Sequence, residues 1–254
     1  MSEEQPLRLD LHTHTHYSPD SITSPQRFVA ACQRKGITCV AVTDHNTIRG
    51  AVAVKEIAPF PIIVGEEIRS AEGEIIGLFL SEEVPPGLSA EETIERIRAQ
   101  SGLVSLPHPL DRFRGGVGAD GVDRLAPLAD IMEVMNARTT LGRDNDEATR
   151  LAEKHGLAGV AVSDAHSPWE IGRAYVEAPR FDGPQELLEA LRWATLAGKP
   201  STPLVHLISR YAALRRKLGW RPAREHTPAQ GIARLGYTEA TNAGAGTQRP
   251  NTRP

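Results

Sequence analysis

The chain has 254 residues, with 29 Lys/Arg against 32 Asp/Glu, a formal charge of −3. An apolar share of 40% and a mean hydropathy of −0.32 suit a globular core, and with no long apolar run and an acidic start (MSEEQPLRLD) they argue against a membrane span or signal peptide. Two cysteines, Cys32 and Cys39, allow neither a disulfide framework nor a four-cysteine zinc site, so a cytoplasmic setting is expected.

In chain order, an apolar strand is expected at 7–11 (LRLDL), then a helix opened by Ser24 with Pro25 at its first position. Strands follow at 39–44, 61–65 and 74–80, then a helix opened by a Ser89/Glu92 capping box. Further strands are expected at 103–107, 130–136, 158–163 and 174–178, with helices at 143–155 and 184–197 and a second capping box, Ser167/Glu170, around Pro168. Continuous apolar runs rather than strict alternation read as strands buried on both faces. Repeated strand–helix units predict an α/β fold with a parallel sheet closed into a barrel; an open doubly wound sheet is the competitor.

The texture changes after residue 203. Leu204, Leu207, Tyr211, Leu214 and Leu218 recur at helical spacing and are expected to pack on the barrel. Nine of the 29 basic residues lie in 205–254 with only Glu225 and Glu239 to balance them, which predicts a basic helical extension over 204–240 on a 1–203 domain. The last stretch, 241–254, has no Val, Ile, Leu, Met or aromatic residue and is expected to be disordered.

Metal-capable side chains fall where strands end. His12 and His14 follow the first strand, His45 the second, Glu66 and Glu67 the third and His108 the fifth. Glu133 and Asn136 come late in the sixth, and Asp164 and His166 follow the seventh. In a parallel barrel those ends share one rim, where active sites are built. A His/carboxylate set without thiolate suits Zn, Mn or Fe.

The pieces DLHTHTHYSPDS, VAVTDHNTIRG, GEEI, PHP and SDAH, followed by EIGRAYVEAP, give roughly 1–200 a resemblance to the PHP (polymerase and histidinol phosphatase) family of metal-dependent phosphoesterases. The resemblance implies a distorted seven-stranded (β/α) barrel carrying two or three divalent ions at its C-terminal face. Carried over by position, His12, His14, Glu67 and Asp164 hold one ion, Glu67 bridges to a second that also takes His108, and Asp20, His45 and His166 hold a third. Many relatives have a histidine where this chain has Glu74. A carboxylate can replace it as a ligand, or Glu74 is an exposed turn residue; both stay open. Asp10 and Asp44 either orient ligands or cap strand ends.

The implied reaction is hydrolysis of a phosphate ester (a nucleotide, an oligonucleotide or a small phosphorylated metabolite) by a metal-activated hydroxide, in line with the leaving group. Arg138 or Arg114 is expected to help hold the phosphate, with Arg112 and Arg143 also placed to reach the mouth. His166 or His108 is the candidate to protonate the leaving oxygen. The alternatives are a metal-dependent amidohydrolase and a non-catalytic metal-binding regulatory module. His155 reads as a helix C-terminal cation, His206 and His226 as remote from catalysis, and the cysteines as core thiols. Six basic residues in 205–224 raise the alternative of a polyanion contact by the extension. No membrane partner is expected, and oligomeric state is open.

Overall fold

The computed structural model describes residues 5–220. The expectation of disorder over 241–254, and the part of the extension beyond 220, lie outside the described residues. In chain order the elements are β1 (Leu7–Asp10), α1 (Pro25–Lys35), β2 (Cys39–Val42), α2 (Arg49–Ile57), β3 (Ile62–Arg69), β4 (Glu74–Leu78), α3 (Ala90–Arg98) and β5 (Leu103–Leu106). Then come α4 (Gly118–Leu125), β6 (Ile131–Asn136), α5 (Gly142–His155), β7 (Ala158–Val162), β8 (Ala174–Ala178), α6 (Pro184–Leu191), β9 (Thr195–Gly198) and α7 (Val205–Lys217).

The strands form one sheet in the order β7-β6-β5-β4-β3-β2-β1-β8-β9. β1, β2 and β3 run parallel, as do β5, β6 and β7. Past the ends of β1 and β7, Thr13 bridges Ala165, with His14 N donating to Ala165 O and Asp164 N to His12 O, both at 2.9 Å. The sheet is therefore a nearly closed barrel, to which antiparallel β8 and β9 are added beside β1. Nine described strands share it, where the resemblance implied seven.

β4 breaks the parallel pattern. Only residues 70–73 separate it from β3, and so short a connection can make an antiparallel hairpin but no parallel crossover. Two consequences matter for the site. β3 runs on to Arg69, so Glu66 and Glu67 lie inside the strand rather than after it. The first residue of β4, Glu74, pairs with Arg69 and so sits at the rim where the parallel strands end.

Side-chain alternation sorts the core. Cys39 and Ala41 of β2 join Leu9, Ile63, Ile76, Leu103 and Ile131 in one cluster, while Val40 and Val42 pack with Phe28 of α1, Val52 of α2 and Ile94 of α3. Caps fix the helix ends: Ser24 caps α1, and Ser89 with Glu92 forms the expected capping box on α3.

Several expectations are corrected. α2 and α4 are additional helices; neither has a side-chain cap, and α4 contains two glycines. The helix expected over 184–197 stops at Leu191, and its last residues form β9 against β8. Ser167 does bond Glu170 (2.6 Å), but the segment is a turn.

The extension helix also packs the other way round. Leu204, Leu207, Tyr211, Leu214 and Leu218 are 56–79% exposed, and Ala212 is the buried residue of α7. Arg138 explains the orientation. Its guanidinium is buried and donates from Nη2 to Ser209 Oγ of α7 (2.8 Å). This bond satisfies a donor of the buried guanidinium and ties the Ser209 side of α7 to the barrel, which leaves the leucine face in water.

Gly50 of α2 is a close-approach glycine: a methyl there would overlap the Asp44 carboxylate and the Thr15 hydroxyl. Gly50→Ala is expected to destabilise the fold by roughly 1–3 kcal/mol, read by denaturant titration. An unchanged midpoint would show that this contact is slack.

Candidate metal centre

Hydrogen bonds to the backbone set the loop after β1. Asp44 accepts from Thr15 N (2.7 Å), Thr15 Oγ1 (2.6 Å), Ser18 N (3.2 Å) and Ser18 Oγ (2.8 Å). Ser18 Oγ in turn accepts from His14 Nδ1 (3.0 Å), which leaves the His14 Nε2 lone pair facing inward. His12 Nδ1 donates to Glu133 Oε1 (2.6 Å), with the same effect on its Nε2. Asp44 thus orients a histidine through Ser18. Asp10 bonds backbone rather than a ring: it accepts from Ser163 N (3.0 Å) and Gly172 N (3.4 Å) and also bonds the His12 backbone, so it ties β1 to the end of β7.

The inward nitrogens converge on two carboxylate oxygens. Glu67 Oε2 lies 3.3 Å from His12 Nε2, 3.4 Å from His14 Nε2 and 3.1 Å from His45 Nδ1, while Glu67 Oε1 lies 3.0 Å from His108 Nε2. Asp164 Oδ1 lies 3.7 Å from His12 Nε2, 3.6 Å from His14 Nε2 and 3.4 Å from His166 Nδ1. Beside them, Asp20 Oδ2 is 3.2 Å from His166 and 3.5 Å from His45. Glu74 is buried, 3.8 Å from His45 and 3.7 Å from His108, so it belongs to this cluster and is not an exposed turn residue. All nine side chains expected as ligands are thereby brought together.

The donor set fits divalent ions. Glu67 Oε2 and Asp164 Oδ1 are buried and have no hydrogen-bond partner, which is costly for an ionised group. Ligand atoms each about 2.1 Å from a shared ion stand about 3.0–3.4 Å from one another, close to the spacings seen around both oxygens. Four overlapping trios, His12/His14/Glu67, His12/His108/Asp164, His14/His45/His166 and His45/Glu67/Glu74, each have donor atoms within 4.8 Å of one another.

Protonation states point the same way. Burial alone would raise the Glu67 pKa, but His12 and His45 hold it well below the usual carboxylate value. Asp164 is likewise held low against burial by Arg114 and His12, and Asp20 by His166 and His45. Burial, then the neighbouring His166, keeps His14 well below the usual histidine value. For His45, burial is overcome by Glu67 and Asp20, which lift it to about 10; for Glu74, burial and Glu67 push the carboxyl up to about 7. Against burial, Asp164, Glu133 and Glu67 likewise hold His12 well above the usual histidine value. Ionised carboxylates and neutral imidazoles are the forms that ligate metal. His12, His45 and Glu74 would therefore each release a proton on ligating a metal, whereas Glu67, Asp164, Asp20 and His14 already hold the ligating form.

Some roles were not legible from residue order. Asn136 Nδ2 donates to Glu133 Oε2 and Asp164 Oδ2, both at 2.8 Å, so it positions carboxylates. Glu133 also accepts from His108 N (2.8 Å). Their place late in β6 was the one available signal. His108 (φ 25°) and Asp164 (φ 53°) hold left-handed backbone that non-glycine residues rarely adopt, a strain typical of functional sites.

A cleft of about 740 Å³ opens beside the cluster, lined by Asp20, His45, Glu74 and His166 together with Arg69, Arg114, Arg138 and Arg210. Arg114 pairs with Asp164. Arg112 and Arg143 do not line the cleft and are exposed. His206, expected to lie away from the site, lines the cleft from α7, while His155 pairs with Asp123 on the surface (2.6 Å). Cys32 and Cys39 are buried core thiols.

Comparison with known proteins agrees with this geometry. Residues 10–99 match the family model described as PHP domain, and 142–196 the one described as PHP-associated. One uncharacterized protein of Methanocaldococcus jannaschii is 44% identical over 145 residues (52% of this chain, 82% of that protein). Another from the same organism is 34% identical over 200 residues (74% and 81%). Among solved structures, the lesion-specific endonuclease PfuEndoQ of Pyrococcus furiosus superposes with a TM-score of 0.56 at 15% identity, covering 98% of this chain and 74% of that one. A Bifidobacterium adolescentis protein assigned as a metal-dependent phosphoesterase gives 0.53 at 17% (64% and 89%), and an amidohydrolase of Chromobacterium violaceum gives 0.53 at 15% (80% and 96%). At these identities the structures share the fold.

Glu66 provides a control beside the cluster. It points away from Glu67, accepts from Val84 N (2.8 Å), and burial pushes its carboxyl from 4.5 to about 8. Between those values the folded chain keeps a proton that the unfolded chain has lost, so this group's contribution to stability falls as pH rises through the window. Glu66→Gln is expected to lose less thermal stability than the wild type from pH 4.5 to 8 in metal-free protein. Superimposable Tm–pH curves would contradict this.

Proposed function

The chain belongs to the PHP domain family, and on that premise we propose that it is a metal-dependent phosphoesterase working at the C-terminal rim of the barrel. The observation that carries the reading is the pair of orphaned carboxylate oxygens, Glu67 Oε2 and Asp164 Oδ1, each ringed by three imidazole nitrogens at 3.1–3.7 Å. His12, His14, Glu67 and Asp164 would hold one ion. Glu67 would share a second with His108, and Glu74 would complete it. Asp20, His45 and His166 would hold a third.

Bound divalent ions there supply Lewis-acid polarisation of a phosphoryl oxygen and a water acidic enough to attack near neutral pH. The chain's own groups do the rest. Arg138, whose Nε lacks a partner, and Arg114 hold and orient the phosphate from the cleft floor. Of the two histidines considered for protonating the leaving oxygen, His166 lines the cleft and His108 does not. The role therefore falls to His166 when the Asp20–His45–His166 group carries no ion.

A manganese-supplemented screen of phosphorylated metabolites and short oligonucleotides is expected to reveal turnover. Asp164→Ala or His12→Ala should abolish it with melting curves close to wild type, because rim ligands contribute to chemistry more than to the core. Glu67→Ala should be at least as damaging and Glu66→Ala much milder. A wild-type rate in Asp164→Ala, or no phosphoester turned over by reconstituted protein, would contradict the proposal.

A further inference from the structure

The four arginines around the cleft are not equivalent. Arg114 and Arg138 are already bonded, to Asp164 and to Ser209 (2.8 Å), with Glu170 3.5 Å from Arg138. Arg69, at the end of β3, and Arg210, on α7, line the same cleft, are exposed, and form no ion pair with a described carboxylate. They are the cleft arginines that no described carboxylate neutralises. The cleft volume of about 740 Å³ lies in the range of about 300–1,000 Å³ that encloses a whole small ligand, far more than the scissile phosphate alone needs.

α7 is placed to serve such a ligand. It presents His206, Ser209, Arg210 and Ala213 to the cleft while its leucines face outward, and the Arg138–Ser209 bond holds it in that orientation. The basic extension thus bears on the cleft through one face and one register.

We propose that Arg210, with Arg69 lining the same cleft, binds a second anionic group of the substrate, so that α7 is a specificity-determining wall and the preferred substrate carries a further anion beyond the scissile phosphate. This rests on the phosphoesterase reading only for what happens at the scissile group. A guanidinium on an exposed helix face binds such a group by charge-assisted hydrogen bonds without being needed for the fold.

Calorimetric titration of the full-length, metal-free chain tests this, using thymidine 5′-monophosphate as the single-phosphate probe and the 5′-phosphorylated dinucleotide pTpT as the two-phosphate probe. Wild type is expected to bind pTpT the more tightly. Arg210→Ala should weaken pTpT about tenfold and lower its salt slope by about one, with the monophosphate changed by less than about twofold and the melting curve unaltered. Arg210→Lys should recover part of the loss. Equal weakening of both probes, or wild-type protein binding them alike, overturns the proposal. Failure of the phosphoesterase reading is distinguishable, since neither p-nitrophenyl phosphate nor pTpT would then be hydrolysed with manganese while Arg210-dependent pTpT binding persisted.

Discussion

A single carboxylate, Glu67, organises the rim of this barrel. It is fully buried, and its two oxygens face four imidazoles, from His12, His14, His45 and His108. Burying an ionised carboxylate costs several kcal/mol unless opposite charge or ligation offsets it. The local architecture reads as the means of keeping that charge in place: Asp44 acting through Ser18 on His14, Glu133 on His12, and Asn136 holding Glu133 and Asp164 at the proper distance. Arg114 balances Asp164 on the far side.

The placement of that carboxylate follows from a short turn. Because residues 70–73 can only fold β4 back on β3, β3 continues past the usual strand end and carries Glu67 inward, while β4 begins at the rim and delivers Glu74 to the same cluster. A helix between these strands would have sent Glu74 to the opposite end of the barrel. The one antiparallel interruption of the parallel set therefore adds a carboxylate to the cluster.

Much of this could be read from residue order alone, and the reasons differ by element. The eight apolar runs that became β1–β8 are short, continuous and bounded by turn residues, so burial on both faces leaves a strong signal. His12, His14, His45, His108 and Asp164 could be placed together because each follows such a run. Glu74 could not be settled, since its position depends on the antiparallel turn and not on its neighbours in sequence. α2 and α4 were illegible because neither opens with a side-chain cap, so the start signal used for the other helices is missing. β9 was hidden in a helical period because its side chains are mostly exposed and carry no alternation. The leucine spacing of α7 was read correctly as helical but turned the wrong way, since Ser209 on the other face bonds buried Arg138 in the loop after β6, a contact that residue order does not show.

The proposed reaction needs Glu67 and Asp164 to share cations with the surrounding imidazoles. Anomalous diffraction from crystals of the manganese-loaded protein, measured above and below the metal edge, tests that most directly. The predicted result is at least two peaks within the cluster, one of them contacting both Glu67 and Asp164, with the peak at that position lost in Glu67→Ala. A map with no peak between these carboxylates, or with manganese only at surface groups such as Asp123 and His155, would contradict it.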